Sequence, residues 1–243
     1  MNLLLLSNSS SDAGYLTHAL PWIHDWAAAQ PHAGEALLLP FAGVTRGWDD
    51  YETLVADALA PLGLKVRSLH HEADPAAAVN AVDAARLILV GGGNTFALLG
   101  HMRSRGLIGA IAERVRSGKA AYLGWSAGSN VACPTIQTTN DMPVADPGGF
   151  DAMGLLPFQI NAHYTEMHPP GHRGETRRQR LREFTVLHPR MPVLGLPEGC
   201  GLRVHGDDAS LLGDLPSRLF IGDQEPALLN AGPFAFPAGP QQR

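Results

Sequence analysis

The sequence predicts an α/β protein: a mainly parallel sheet flanked by helices, with an extension of antiparallel strands near the carboxyl terminus. In the first half of the chain, short apolar runs alternate with helical patterns, as expected for parallel strands joined by helical crossovers. After about Met191, short apolar pieces separated by Gly, Asp and Pro turns replace that alternation. The length of 243 residues is near the upper limit for one hydrophobic core, so we expect a single domain over residues 1–243.

The predicted strands of the first half are continuous apolar runs, which is typical of strands buried on both faces. They are Leu3–Leu6, Ala36–Leu39, Lys65–Leu69, Arg86–Val90 and Ala120–Leu123. Two helices are marked by apolar residues at a spacing of about 3.6 residues. One has Leu54, Leu59 and Leu62, and the other has Leu107, Ile108, Ile111 and Val115. Ligands of such a sheet bind beyond the carboxyl ends of its strands.

The second half predicts an antiparallel set of strands that closes the domain. Its members are Val193–Leu196, Leu202–Val204, Ser210–Leu212, Leu219–Ile221 and Ala227–Leu229. From Gly232 the chain is rich in Pro, Gly and Gln, so residues 232–243 are predicted to form a flexible tail.

Composition and charge exclude several classes of protein. Hydrophobic residues make up 45% of the chain and charged residues 17%, which favours a soluble globular protein. A net charge of −5 gives no basic field for a nucleic acid. The apolar run Leu3–Leu6 is too short for a signal peptide or a membrane span. With only Cys133 and Cys200, no disulfide framework is implied, so we expect a cytoplasmic protein without a membrane partner.

The strongest local motif is Gly-Trp-Ser-Ala-Gly at Gly124–Gly128, which follows a predicted strand and precedes a short helix that Pro134 should end. A GxSxG motif in this context is typical of a nucleophile elbow, where the serine is strained and its neighbours must be small. The motif therefore predicts Ser126 as a nucleophile.

A serine nucleophile needs a base, and the base needs an orienting group. A predicted strand at Phe158–Asn161 brings His163 to the carboxyl edge, and Val193–Leu196 brings Glu198 there. Acyl transfer also needs donors for an oxyanion. The Gly91–Thr95 loop follows another strand, so we expect the N–H groups of Gly92 and Ala127 to supply them.

Motifs along nearly the whole chain make it similar to a known family. They are LLLLSNSS at the start, LPFAGVT at 39–45, VGGGNTF at 90–96, GWSAGSN at 124–130, TTNDMP at 138–143, INAHYT at 160–165, GETRRQR at 174–180 and LPEG at 196–199. The chain resembles the peptidase E, or alpha-aspartyl dipeptidase, family of serine peptidases, whose fold is similar to that of class I glutamine amidotransferases. Ser129 and Cys200 depart from the family pattern.

The resemblance implies hydrolysis of dipeptides with an N-terminal aspartate, with no metal and no cofactor. It implies that Ser126 is the nucleophile, His163 the triad histidine and Glu198 the triad acid. It leaves open the oligomeric state, the tolerance for Glu or Asn at the first position, and the physiological peptides.

A site for such a substrate must bind the side-chain carboxylate of the aspartate, which requires a cationic residue. Thr176 followed by Gln179 predicts a capping box, which places Arg177 in the first turn of a helix and on the face of Leu181 and Phe184. Two other arginines, Arg178 and Arg182, point away from that face. An inward arginine can hold a carboxylate by two hydrogen bonds. The resemblance assigns aspartate recognition to Arg177 as well.

Three further residues are candidates for substrate binding. Asn94 and Thr95 belong to the glycine-rich loop, and Asp141 in TTNDMP is a candidate for binding the substrate's α-ammonium group.

Three alternatives remain open. An α/β-hydrolase esterase shares the elbow but has the order nucleophile, acid, histidine, so it needs a later histidine such as His205 with Asp146 or Glu175. A metal-dependent hydrolase would use a second set: His163, Glu166, His168 and His172. That spacing is not HExxH, and Pro169–Gly171 would break a helix there. A binding or sensor protein that keeps the fold without turnover is the third.

Overall fold

The computed structural model describes residues 1–30, 34–171 and 173–237. The strands are β1 (Asn2–Leu6), β2 (Ser10–Ser11), β3 (Gly14–Tyr15), β4 (Glu35–Leu39), β5 (Lys65–Ser68), β6 (Leu87–Val90), β7 (Ala121–Trp125), β8 (Gln159–Asn161), β9 (Val193–Gly195), β10 (Gly201–His205), β11 (Asp208–Leu212), β12 (Ser217–Phe220), β13 (Ala227–Leu229) and β14 (Gly232–Pro233). The helices are α1 (Leu20–Ala28), α2 (Trp48–Leu59), α3 (Pro75–Ala84), α4 (Thr95–Ser104), α5 (Leu107–Arg116), α6 (Ala127–Val131) and α7 (Arg177–Leu187).

An eight-stranded sheet forms the centre of the protein, in the order β14-β11-β10-β1-β7-β6-β4-β5. The strands from β1 to β5 in this order are parallel, and β10, β11 and β14 continue the sheet antiparallel beyond β1. The predicted fold class, a mainly parallel sheet with an antiparallel extension, is confirmed.

The continuous apolar runs are explained by burial on both faces of this sheet. Leu3 and Leu5 pack into a hydrophobic cluster with α3, α4 and α5, whereas Leu4 and Leu6 pack into another with α1 and α2. Because successive side chains of a strand point to opposite faces, a strand covered by helices on both sides needs apolar residues at every position.

The strands after Met191 do not form the single antiparallel set that the sequence predicts. A separate four-stranded sheet has the order β13-β12-β9-β8, in which β8 and β9 are parallel. Only β10, β11 and β14 join the central sheet. Turn-separated apolar pieces of similar length do not encode which sheet they enter, since that depends on partners far away in the chain.

The predicted flexible tail is wrong at its beginning. Gly232–Pro233 pairs with β11, and Phe234 is buried against Phe158, with ring centroids 5.7 Å apart. Residues 238–243 of the predicted tail lie outside the described residues.

None of the helices in the described ranges is long and apolar enough to cross a membrane.

Candidate active site

Ser126 lies at a sharp turn between β7 and α6. Its φ of 53° and ψ of −113° belong to a region that residues with a side chain rarely adopt. The turn is tightly packed: a Cβ on Gly128 would lie 2.0 Å from the carbonyl oxygen of Val90, so only glycine fits there. The N–H of Ser126 donates to the carbonyl of Leu6, 3.1 Å away. The structure thus contains the strand-to-helix elbow that the motif predicts.

Ser126, His163 and Glu198 form one chain of hydrogen bonds. Ser126 Oγ lies 2.8 Å from His163 Nε2, and His163 Nδ1 lies 2.7 Å from Glu198 Oε1. His163 itself has a positive φ of 54°. A serine, a histidine and a carboxylate in this order have the geometry of a nucleophile, a base and a group that orients the base.

Two residues after β1 support this arrangement, and the sequence analysis did not identify them as site residues. Ser7 Oγ accepts a hydrogen bond from the His163 N–H at 2.8 Å and donates to the carbonyl of Leu196 at 2.8 Å. Asn8 Oδ1 accepts from the N–H of Gly199 at 2.7 Å. Ser7 and Asn8 therefore connect the loops that carry the histidine and the glutamate. Their position directly after a buried strand was the available signal.

His163 and Glu198 are partly open to solvent. The side chain of His163 is 39% exposed and that of Glu198 is 64% exposed. Water screens charges at such exposed positions, so the contact between the two side chains fixes the orientation of the imidazole more than it holds a buried charge.

The Gly92 loop approaches Ser126 closely. A Cβ on Gly92 would lie 3.0 Å from Ser126 Cβ, so glycine allows this approach. The Ala127 N–H is at the start of α6, where the Ser126 side chain does not cap the helix and no acceptor for this N–H lies among the described residues. Within the described chain, the Gly92 N–H also has no hydrogen-bond acceptor. Both amides are thus available as oxyanion donors.

An aromatic network holds the Gly92 peptide in place. Tyr51 Oη donates to the Gly92 carbonyl at 2.9 Å, and Trp125 Nε1 donates to Tyr51 Oη at 3.1 Å. Tyr15 Oη also contacts Tyr51 Oη at 3.1 Å. Burial raises the pKa of Tyr51 well above its ordinary value, so its hydroxyl stays protonated and can donate. These aromatic residues were not identified from the sequence.

A cavity of about 620 Å³ opens in front of Ser126 and His163. Its wall carries charges of both signs, because Arg46 and Asp141 line it. The Arg46 guanidinium lies 5.4 Å from the centroid of the Tyr51 ring. Arg46 directly follows the LPFAGVT motif, and the sequence analysis missed it.

The three further candidates for substrate binding, Asn94, Thr95 and Asp141, lie next to one another. Asp141 Oδ2 accepts from the Thr95 N–H at 2.8 Å and from Thr139 Oγ1 at 3.1 Å. Asn94 caps α4, since its side chain accepts from the Ala97 N–H. Asn94 and Asp141 line the cavity, but Thr95 is fully buried and does not. Thr95 is therefore placed to position Asp141 rather than to touch a substrate.

Arg177 begins α7, and the structure contains the predicted capping box of Thr176 and Gln179. The guanidinium is half-buried and forms no ion pair with any residue in the described ranges, and burial lowers its pKa. Arg178 and Arg182 are exposed, as the helical wheel predicts. However, Arg177 is not among the residues that line the cavity in front of Ser126.

The two departures from the family pattern are buried behind the site. Ser129 Oγ donates to the carbonyl of Leu6 at 2.7 Å and therefore fastens the elbow to β1. Cys200 points its thiol at the carbonyl of Leu215, 3.4 Å away, and burial raises the pKa of that thiol. Neither side chain lines the cavity.

The position of His205 rules out the esterase alternative. His205 pairs with Asn2, at the amino end of β1, whereas Trp125 pairs with Leu6 at the carboxyl end. His205 therefore lies at the opposite edge of the sheet from Ser126 and cannot act as its base.

The metal-hydrolase alternative also finds no support. Both ring nitrogens of His163 contact Ser126 and Glu198, and Glu166 is hydrogen-bonded by Arg218 at 3.0 Å. His172 lies outside the described residues.

The chain is similar to known proteins over nearly its whole length. The model of peptidase family S51 matches residues 3–212. Peptidase E of Salmonella newport is 50% identical over 233 residues, which cover 96% of this chain and 99% of that protein. Peptidase E of Citrobacter koseri is 51% identical over 234 residues, with the same coverage of both chains.

A solved peptidase structure has a fold similar to that of this chain. The crystal structure of a peptidase from an acI-B1 Actinobacterium has a TM-score of 0.67 at 16% identity and covers 97% of this chain and 96% of its own. Because the sequence identity is low, this likeness shows only that the two folds are similar. The family is established by the family model and by the curated relatives. The chain therefore belongs to peptidase family S51, and it is a serine peptidase.

Proposed function

We propose that this serine peptidase is a dipeptidase that hydrolyses Asp-Xaa dipeptides through an acyl-enzyme on Ser126. The hydrogen-bond chain from Ser126 through His163 to Glu198, beside a cavity with charges of both signs, is the observation that carries the proposal. Relatives at 50% identity are named peptidase E, which supports the same substrate class. Both cysteines are free thiols, which is compatible with the cytoplasmic location that we propose.

The first half of the reaction forms an ester. Ser126 Oγ attacks the carbonyl carbon of the aspartyl residue while its proton moves to His163 Nε2. The negative oxygen that develops accepts hydrogen bonds from the Gly92 and Ala127 N–H groups. His163 then gives the proton to the leaving amine, the C–N bond breaks, and the second amino acid departs.

The second half hydrolyses the ester. His163 removes a proton from a water molecule, and the resulting hydroxide attacks the acyl carbon. The proton returns to Ser126 Oγ as aspartate leaves. Throughout, Glu198 accepts a hydrogen bond from His163 Nδ1, which keeps Nε2 facing Ser126 and stabilises the imidazolium.

Recognition of an Asp-Xaa dipeptide requires partners for three charges: the α-ammonium, the β-carboxylate and the terminal carboxylate. We assign the ammonium to Asp141, which lines the cavity and is held by the Thr95 N–H. We assign the β-carboxylate to Arg177, on the family resemblance and on its half-buried guanidinium, which has no ion-pair partner among the described residues. Arg46 is the arginine among the described residues that line the cavity, so it is the candidate for the terminal carboxylate.

The test is hydrolysis of Asp-Leu, Asn-Leu, Ala-Leu and N-acetyl-Asp-Leu by the wild type and by Ser126→Ala, with chelator present throughout. Selective cleavage of Asp-Leu that disappears in Ser126→Ala is the expected result. The control variant is Ser117→Ala, which changes an exposed serine at the end of α5. Equal cleavage of Ala-Leu would refute the specificity for aspartate.

A fluorophosphonate probe distinguishes an enzyme from a binding protein. We expect it to label the wild type and Ser117→Ala but not Ser126→Ala. If no peptide is cleaved and Ser126 does not react, the chain binds its ligand without turnover.

A further inference from the structure

A cluster of four possible metal ligands lies outside the proposed catalytic machinery. Two come from the first turns of α2, and two come from the 3₁₀ turn Leu69–His71 after β5. They are Asp49, Glu52, His70 and His71. One ligand atom from each lies within 4.8 Å of the others.

The separations within this cluster are close to those of a tetrahedral site. His70 Nε2 lies 2.9 Å from Asp49 Oδ1, which in turn lies 3.9 Å from His71 Nε2. His71 Nε2 lies 2.6 Å from Glu52 Oε2. Bonds of about 2.0–2.2 Å from Zn²⁺ to nitrogen and oxygen place neighbouring tetrahedral ligands about 3.3 Å apart. The observed distances lie on both sides of this value, so small side-chain rotations bring the four atoms around one ion.

Two of the four ligands are already oriented by Ser68, which is fully buried. Ser68 Oγ lies 2.6 Å from His70 Nδ1, the ring nitrogen that faces away from the cluster. The Ser68 N–H donates to Glu52 Oε1 at 2.8 Å and leaves Oε2 toward the cluster. Metal-binding histidines and carboxylates are characteristically held through their second polar atom in this way.

The cluster has two mostly buried side chains, which are held in place, and two exposed side chains, which an ion can reach from solution. The side chains of His70 and Glu52 are 11% and 21% exposed, whereas those of His71 and Asp49 are 51% and 85% exposed. An ion from solution can therefore reach the cluster past Asp49. Two imidazoles with two carboxylates form a ligand set that suits Zn²⁺.

We propose that Asp49, Glu52, His70 and His71 bind one Zn²⁺ ion. None of the four lines the cavity in front of Ser126, so the role of this ion is structural. It joins α2 to the end of β5, the edge strand of the central sheet. The same helix carries Tyr51, which holds the Gly92 peptide, so the ion also steadies one wall of the active site.

Zinc binding by the untagged full-length chain, stripped of metal beforehand, tests the proposal by calorimetry. We expect one Zn²⁺ per chain, with an affinity at least about 100-fold lower in His70→Ala and in Glu52→Gln. Ser68→Ala should weaken binding by about 10- to 100-fold, because only the supporting hydrogen bonds are lost. Cobalt(II) should give the visible spectrum of a tetrahedral ion in the wild type but not in His70→Ala or Glu52→Gln.

His24→Ala is the matched control, because His24 also contacts a carboxylate, that of Asp25 at 3.1 Å, but is not one of the four residues of the cluster. It should bind zinc as the wild type does. Circular dichroism of each variant checks the fold, and Glu52→Gln preserves the shape of the side chain. The absence of zinc binding in the wild type, or binding that survives both His70→Ala and Glu52→Gln, would overturn the proposal. Peptide hydrolysis in chelator is a separate measurement, so failure of one proposal leaves the other testable.

Discussion

Ser126 and His163 both adopt positive φ angles, 53° and 54°, although neither is glycine. Such conformations each cost about 1–3 kcal/mol and persist only where the surroundings enforce them. Here the surroundings are the packed Gly128 turn and the hydrogen bond from His163 to Ser7. The strain places Ser126 Oγ and His163 Nε2 within 2.8 Å of each other.

An alanine variant is usually more stable than a glycine variant at the same position, and the strain at Ser126 predicts the opposite order there. Ser126→Gly should be more stable than Ser126→Ala by about 1 kcal/mol, because glycine adopts this backbone conformation without strain. At Ser117, where φ is −75°, the order should reverse, because glycine there only adds freedom to the unfolded chain. Urea unfolding of the four variants measures both differences. The same order at both positions would contradict the strain at Ser126.

Substitution of the two arginines separates their proposed roles. Arg177→Lys keeps the charge but loses the paired hydrogen bonds, so kcat/KM for Asp-Leu should fall about 10- to 100-fold with the fold intact. Arg46→Gln should reduce cleavage of Asp-Leu by a similar factor but leave Asp-leucinamide unaffected, since that substrate lacks the terminal carboxylate.

Steady-state kinetics with both substrates, accompanied by circular dichroism, gives these ratios. If Arg46→Gln impairs both substrates equally, Arg46 does not hold the terminal carboxylate. If Arg177→Lys cleaves Asp-Leu as fast as the wild type, Arg177 does not bind the β-carboxylate.

Among the secondary-structure elements, those with a large apolar signal were predictable. β1, β4 and β6 follow from apolar runs, and α5 follows from Leu107, Ile111 and Val115 on one buried face. The sequence analysis did not identify α3 or α4. α3 is rich in alanine, whose small side chain gives a weak periodic signal, and α4 begins inside the glycine-rich loop.

The start of α7 is held by a capping box, whose loss should have two effects. Thr176→Ala removes the side-chain acceptor for the Gln179 N–H and should lower the free energy of unfolding by about 1 kcal/mol. It should also raise the KM for Asp-Leu, because Arg177 occupies the first turn. Urea unfolding and kinetics measure these effects. Ser104→Ala, at the exposed end of α4, is the control and should change stability by less than about 0.5 kcal/mol.

For the whole molecule, the path of the chain couples the two sheets. After β8 and β9 in the small sheet, the chain enters the central sheet at β10 and β11, returns for β12 and β13, and ends in the central sheet at β14. The proposed triad also takes Ser126 from the central sheet and His163 from the end of β8. We therefore propose that residues 1–243 form one folding unit.

A single unit predicts one cooperative unfolding transition. The four tryptophans all lie between positions 22 and 125, outside the small sheet, so their fluorescence reports on the central sheet. Far-ultraviolet circular dichroism reports on both sheets. The two urea titrations should coincide, and a circular dichroism transition without a fluorescence change would show that the small sheet unfolds by itself.

The sequence by itself determined the class of fold, the elbow at Ser126 and the helix start at Thr176. Each of these depends on local chemistry: burial on both faces requires unbroken apolar runs, a sharp turn requires small residues, and a helix start requires a cap. The resemblance of its motifs also pointed to the correct family, and it directed attention to His163 and Glu198.

Only the tertiary structure decided the distances between the site residues and the neighbours of each strand. Ser126 and His163 are 37 positions apart, and His163 and Glu198 are 35 apart, so their contact depends on how strands of two sheets pack. The same packing placed Arg46 on the cavity wall and His205 at the far edge. It divided the carboxyl-terminal strands between two sheets, because strand pairing is chosen by partners that are remote in sequence.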